Sequence, residues 1–212
     1  MNAATSGRGL LVVLSAPSGA GKRALRRVLL HSEPQLRFCP SVTTRPPRAG
    51  ETDGVDYIFV APAAFDRLVE QGEFAEWAYV FGHRYGTLSR SLETVRSTGA
   101  DVLVEKDVRG ALALRRQYPD GVLVFVLPPS LGELKRRIVS RGTESPEEIC
   151  CRLSRVREEL EHAGGYDYIL VNDHLEQAAA NLRGIVCAER ARAARQKHLL
   201  GAYLDAGEDG VE

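Results

Sequence analysis

An α/β fold is what this sequence predicts: a mostly parallel sheet with helices on both faces, interrupted once by a β-rich insertion. Three observations carry the prediction. Short, mostly apolar runs recur at residues 10–14, 101–105, 122–127 and 168–171, each of strand length. Segments with helical spacing fill the intervals, the rhythm of strands joined by crossover helices. Between about residues 40 and 88, prolines, glycines and aromatics replace that rhythm.

Each element has a local reason. Residues 10–14, LLVVL, suit a strand buried on both faces. A loop of small residues follows, from Ser15 to Gly21, and Lys22 opens a helix with apolar Ala24, Leu25, Val28 and Leu29. Prolines and glycine forbid a long helix in PSVTTRPPRAGE, residues 40–51. YIFV at 57–60 is a short strand, 63–71 a small amphipathic helix ended by Gly72, and 74–87 two strands about a turn at Gly82. A helix is expected over 89–97, then a buried strand at 101–105 with Asp107 just past it. A helix over 108–117 leads to VLVFVL at 122–127, stopped by Pro128 and Pro129. The helix over 131–141 ends at Gly142. Ser145 and Pro146 cap and open a long helix to about His162. YILV at 168–171 is the last strand, and one terminal helix is expected from Leu175 to about Leu200.

Composition bounds the function. The 212 residues suit one globular domain with a sizeable core. With 28 basic and 28 acidic residues, no bulk charge points to a nucleic acid or a membrane as partner, and no apolar run reaches membrane-spanning length. Cys39, Cys150, Cys151 and Cys187 show neither metal-ligand spacing nor a disulfide framework. With no signal pattern in residues 1–8, free thiols lead to the expectation of a cytoplasmic protein.

Five constellations could carry chemistry. The first is strand, small-residue loop (Ala16, Pro17, Ser18, Gly19, Ala20, Gly21), Lys22 and helix: loop amides and a helix N-terminus face an anion, and the lysine reaches outer phosphates. The pattern departs from GxxxxGK[ST] at both ends. Ala16 stands first, and Arg23 with Ala24 replaces the hydroxyl that usually helps to hold Mg²⁺. The second is Arg45 and Arg48 with Glu51 and Tyr57, a proline-stiffened second phosphate site or else a solvated basic loop. The third is Glu76 among Phe74, Trp77 and Phe81, an exposed strand glutamate or a carboxylate that accepts from guanine N1 and the 2-amino group. The fourth is Glu105 and Asp107 at a strand end, either helix-capping acids or contacts to an acceptor nucleotide and, through water, to Mg²⁺. The fifth is Arg137, Arg141 and Arg152, salt-bridged surface residues or a set that closes over a triphosphate.

In this order SAPSGAGK, SVTTRPPRAGE, DGVDYIFV, EWAYVFGHRYGT, VLVEKDVRGA, FVLPPS, RGTESPEE and YDYILVND resemble the motifs of guanylate kinases, from about Gly9 to Arg190. The resemblance implies a P-loop NTPase-like core at 1–40, 89–129 and 163–212, a GMP-binding domain at 41–88 and a helical lid at 130–162. It implies transfer of a phosphoryl group from ATP to GMP with Mg²⁺. The loop from Ala16 to Arg23 would bind ATP phosphates, and Asn172 matches a position near the adenine side. Arg45, Arg48, Tyr57 and Tyr85 would hold the GMP phosphate, with Glu51 on the same loop. Ser41, Glu76 and Thr87 would read guanine. Glu105 matches an acid near GMP, Asp107 the acid associated with the metal, and Arg137, Arg141 and Arg152 the lid and catalytic arginines. Lys106 departs from the family, which usually has an apolar residue between the two acids. Rival readings are a guanylate-kinase-like binding module that has lost catalysis and a kinase of another acceptor, such as a ribose bisphosphate. A homo-oligomer is left open.

Overall fold

Alternation of apolar side chains along four strands builds one two-faced core. The computed structural model describes residues 7–17, 19–80, 82–139 and 146–205. In chain order the elements are β1 (Leu11–Ser15), α1 (Lys22–Ser32), β2 (Leu36–Phe38), β3 (Ser41–Thr43), β4 (Tyr57–Phe59), α2 (Pro62–Glu70), β5 (Phe74–Val80), β6 (His83–Leu88) and α3 (Ser89–Arg96). They continue with β7 (Asp101–Lys106), α4 (Val108–Gln117), β8 (Val122–Leu127), α5 (Leu131–Val139), α6 (Pro146–Glu161), β9 (Tyr168–Val171), α7 (Leu175–Arg190) and α8 (Ala193–Asp205).

The core sheet runs β2-β7-β1-β8-β9, with every pair parallel. Val12, Leu14, Leu103 and Val124 point to one face and pack against Leu25 and Leu29 of α1 and Leu182 and Val186 of α7. Leu11, Val13, Val102 and Val104 point to the other, against Leu92 of α3 and Ala111 and Leu114 of α4. Period-two alternation with both faces covered is what a parallel sheet requires. Among the described residues no helix is long and apolar enough to cross a membrane.

The insertion forms its own mixed sheet, β4-β3-β6-β5. β3 pairs parallel with β4, while β6 lies antiparallel to both β3 and β5. Val42, Phe65 and Leu88 are its small core, with Phe65 stacked on Phe74 at 4.5 Å. A register shift between Phe74 and Glu76 sets Glu76 opposite Thr87. Such a bulge re-aims a side chain.

Two differences from the sequence reading have physical causes. β2 and β3 hold three residues each, too few to show alternation, and they form by pairing with β7 and with β4 and β6. The terminal helix is two helices, α7 and α8. The Gln196 side chain donates to the Arg190 carbonyl at 2.6 Å, and Arg195 reaches the Asp120 carbonyl at 2.6 Å, so tertiary contacts turn the chain without glycine or proline.

An ionic knot ties α1, β7 and α7 together. Glu33, just past α1, accepts from Arg183 at 2.8 Å and Arg190 at 2.7 Å, and Arg190 also donates to Asp101 at 2.6 Å. Burial pushes the Glu33 carboxyl up, but the two guanidiniums outweigh it and hold it below the ordinary value of 4.5. A depressed carboxylate stabilises the fold at neutral pH and ceases to do so as pH falls through its folded value. Arg190→Ala is therefore expected to cost about 2–3 kcal/mol in urea unfolding at pH 7. The deficit should shrink as pH falls through the folded value of Glu33, which lies below 4.5.

Candidate active site

A tight loop follows β1 because the chain there is made of residues that let backbone approach backbone. Gly19 and Gly21 have φ of 93° and 89°, the left-handed region where a Cβ is strained. At Gly21 a Cβ would also stand 2.5 Å from the Asn172 amide nitrogen. That amide donates to the Ala20 carbonyl at 2.8 Å, so buried Asn172 braces the loop from behind. Lys22 opens α1, and its Nζ donates to the Ala16 carbonyl at 2.6 Å. Pro17 accepts from the Ala20 amide at 3.1 Å and closes the turn.

Arg23, in the place of the usual hydroxyl, reaches toward the insertion. Its Nη2 lies 2.8 Å from Asp56 Oδ2 and 3.1 Å from the Gly50 carbonyl. Arg26 takes the other oxygen of Asp56 at 2.8 Å, lies 3.5 Å from Glu105 Oε1 and stacks over Phe38 at 3.9 Å. Burial raises the Asp56 carboxyl, but the Thr52 amide and the two guanidiniums bring it below the usual carboxylate value.

The insertion supplies the opposite wall. Arg45 is buried, donates from Nη2 to both oxygens of Glu51 at 2.8 and 3.0 Å and from Nε to the Tyr85 hydroxyl at 3.2 Å, and lies 5.3 Å from the centre of the Tyr57 ring. Arg48 is exposed, and its amide donates to Glu51 at 2.8 Å. Burial, with the Glu105 charge adding to it, pushes the Tyr57 hydroxyl up to about 12, so it stays a neutral donor. Glu76 is 8% exposed, which rules out the solvent-facing alternative. Thr87 donates to its Oε1 at 2.6 Å, and Lys106 Nζ lies 2.7 Å from the same oxygen.

Glu105 and Asp107 end β7. Asp107 Oδ1 accepts from the Gly110 amide at 2.8 Å and caps α4, so the capping reading holds for this residue, which also lines the cleft. Burial raises the Glu105 carboxyl despite the nearby charges of Arg26 and Lys22, and its Oε1 has no hydrogen-bond partner among the described residues. An orphaned carboxylate oxygen in a cleft suits a hydroxyl or a hydrated cation. Among the described residues no group of three or more His, Cys, Asp or Glu could hold a metal. One or two carboxylates with phosphates and water is the donor set Mg²⁺ ordinarily takes, so these residues fit that ion.

α5 and α6 meet through Leu134, Ile138 and Val156. Arg137 donates to Glu133 at 2.6 Å, and its Nη1 lies 3.9 Å from where a Cβ on Gly21 would stand, beside the phosphate loop. Ser18 and Arg141 lie outside the described residues, as does the side chain of Arg152 on α6.

A cleft of about 190 Å³ gathers Lys22, Ser41, Tyr57, Glu76, Tyr85, Glu105 and Asp107. Thr87 lies behind Glu76, Arg45 and Glu51 behind Tyr85, and Asn172 behind the loop. Sequence reasoning passed over Arg26 and Asp56. Arg26 stands four residues after Lys22 on α1, and that spacing was its available signal.

Known proteins share this organisation. A family model described as guanylate kinase matches residues 8–189. The chain is 48% identical over 188 residues to a guanylate kinase of Symbiobacterium thermophilum, covering 89% of each. It is 47% identical over 199 residues to one from Sphingopyxis alaskensis, covering 93% of this chain and 90% of the relative. The crystal structure of guanylate kinase from Anaplasma phagocytophilum superposes with a TM-score of 0.76 at 33% identity, covering 90% of both chains.

The raised Glu105 carboxyl has a stability consequence. A group raised in the fold stabilises below its ordinary value and loses that contribution as pH climbs through the folded value. Glu105→Gln keeps the neutral form at every pH. Calorimetry should show a higher Tm than the parent at pH 7–8 and no gain below pH 4.

Proposed function

The chain belongs to the guanylate kinase family, and on that footing we propose how its residues move the γ-phosphate of ATP onto GMP to give ADP and GDP. One observation carries the assignment of roles: Lys22, the buried carboxylate Glu76 and the strand-end acids Glu105 and Asp107 line a single cleft. Donor and acceptor held side by side is most of what phosphoryl transfer needs.

The loop from Ala16 to Arg23 cradles the ATP phosphates through its amides, Lys22 meets the outer ones, and Asn172 serves the adenine side. Ser41, Glu76 and Thr87 hold guanine. Arg45, Arg48, Tyr57 and Tyr85 hold the GMP phosphate, with Glu51 keeping the Arg45 fork in place. Residues 41–88 work as the GMP-binding domain and 130–162 as the lid, against a core of 1–40, 89–129 and 163–212. A GMP phosphate oxygen bonds to the γ-phosphorus as the bond to the β–γ bridging oxygen breaks, and ADP carries away that electron pair. Arg137, Arg141 and Arg152 offset the charge that moves during transfer. Glu105 contacts the GMP side, and Asp107 is the residue that would hold Mg²⁺ through water, an ion that would supply positive charge against the phosphates. A cytoplasmic setting fits the free thiols of Cys39 and Cys187.

A coupled ADP-release assay with GMP, AMP, UMP and no acceptor tests the reaction, and GMP alone should give rapid release. Glu76→Gln replaces an acceptor-only group with a half-donor, and its KM for GMP should rise by about 10- to 100-fold, the worth of one charged hydrogen bond. An unchanged KM would remove guanine from Glu76. Arg137→Ala should lower kcat more than it raises KM, because its partner gains charge only in transfer. The reverse pattern would make Arg137 a ground-state binding residue.

A further inference from the structure

Lys106 is the residue in the cleft for which the family pattern has no role. It closes β7 and is 6% exposed. A buried lysine is costly unless paired and hydrogen-bonded. Its ammonium donates to Ser41 Oγ at 2.7 Å and stands 2.7 Å from Glu76 Oε1. Thr87 donates to that same oxygen at 2.6 Å. The three side chains assigned to the base are thus joined through one cation and one carboxylate oxygen.

This arrangement leaves a donor and an acceptor unspent. The ammonium has three hydrogens, and Ser41 and Glu76 take two among the described residues. Both contacts to Glu76 end on Oε1, which leaves Oε2 as the better acceptor. A Cβ on Gly110 would stand 3.1 Å from Oε2, so the bare glycine gives the carboxylate room beside α4. Lys106 and Glu76 both line the cleft.

We propose that Lys106 is a base-reading residue, which donates to the 6-oxo oxygen of the acceptor purine while Glu76 accepts from its N1–H and 2-amino group. The inference rests on the acceptor-site reading above. The lactam edge of a 6-oxopurine offers an acceptor next to a donor, and Lys106 beside Glu76 offers the complement. Adenine inverts both: its 6-amino group meets an ammonium and its bare N1 meets a carboxylate. Selection thus works by repulsion as well as attraction. The ion pair also makes the base pocket neutral, which suits a neutral ring better than a lone buried carboxylate does.

The test compares acceptors that differ at one position. 6-Thioguanosine monophosphate keeps N1–H and the 2-amino group but puts a weak acceptor at position 6, whereas IMP keeps the 6-oxo oxygen and lacks the 2-amino group. The GMP to 6-thio-GMP ratio of kcat/KM should fall by about 10-fold in Lys106→Met, within the range of one charged hydrogen bond. The GMP to IMP ratio should stay within about 3-fold of the parent, since it reads Glu76. Equal losses on every acceptor, with the 6-thio ratio unchanged, would make Lys106 a structural counter-ion and overturn the proposal. Should Lys106→Met fail to fold, Lys106→Met with Glu76→Gln removes both charges together. Its GMP to 6-thio-GMP binding ratio, read by calorimetric titration, must also fall, and a parental ratio overturns the proposal. A parent that neither binds GMP nor releases ADP with it would instead sink the acceptor-site reading itself.

Discussion

A carboxylate removed from water must be matched by a cation or give up its charge, and that constraint shapes the whole cleft. Glu76, Asp56 and Glu33 are buried, and each meets a lysine or arginine from another part of the chain: β7, α1 and α7 respectively. The matching cations sit on the core sheet and its helices, whereas Glu76 and Asp56 belong to the insertion. The pairs therefore do two things at once. They neutralise buried acids, and two of them join the insertion to the core across the cleft. Glu105 is the exception, with Arg26 at 3.5 Å and no hydrogen-bond partner on Oε1 among the described residues, and there burial prevails and the carboxyl rises.

Much of this was legible in the chain itself. The buried strands at 122–127 and 168–171 stand out because an uninterrupted apolar run leaves little alternative. The strand, small-residue loop and helix around Lys22 were legible because small residues, a lysine and flanking elements must occur in one order. Glu76 was legible only as one of two readings, because burial of a strand glutamate depends on a bulge and on partners 11 and 30 residues away in sequence. β2 and β3 were illegible, since three residues carry no period and their pairing comes from strands elsewhere. The break between α7 and α8 was illegible for the same reason: its cause is Asp120 and a glutamine side chain, not a helix breaker.

Lys106 shows how a departure from pattern gains meaning only in three dimensions. In sequence it is a lone cation after an apolar strand, between two acids that are its neighbours in the chain. In the fold its partners are neither of those acids but Ser41 and Glu76, from β3 and β5. Alternation along the strand explains this, because residues on either side of Lys106 point to the opposite face.

Asp56 has two oxygens, one held by Arg23 and the other by Arg26. Its amide contact to Thr52 shapes the loop that also carries Gly50, the second partner of Arg23. Positions 23, 26 and 56 therefore cannot drift independently through evolutionary time. A hydroxyl at 23 would leave Asp56 Oδ2 with the Thr52 amide alone and remove one of the two guanidiniums that neutralise a buried carboxylate, so its effect on stability would depend on what stood at 26. The loss of the loop hydroxyl is thus not a lesion awaiting reversal. Arg23, which stands in its place, ties the loop to Asp56 and Gly50 on the far side of the cleft.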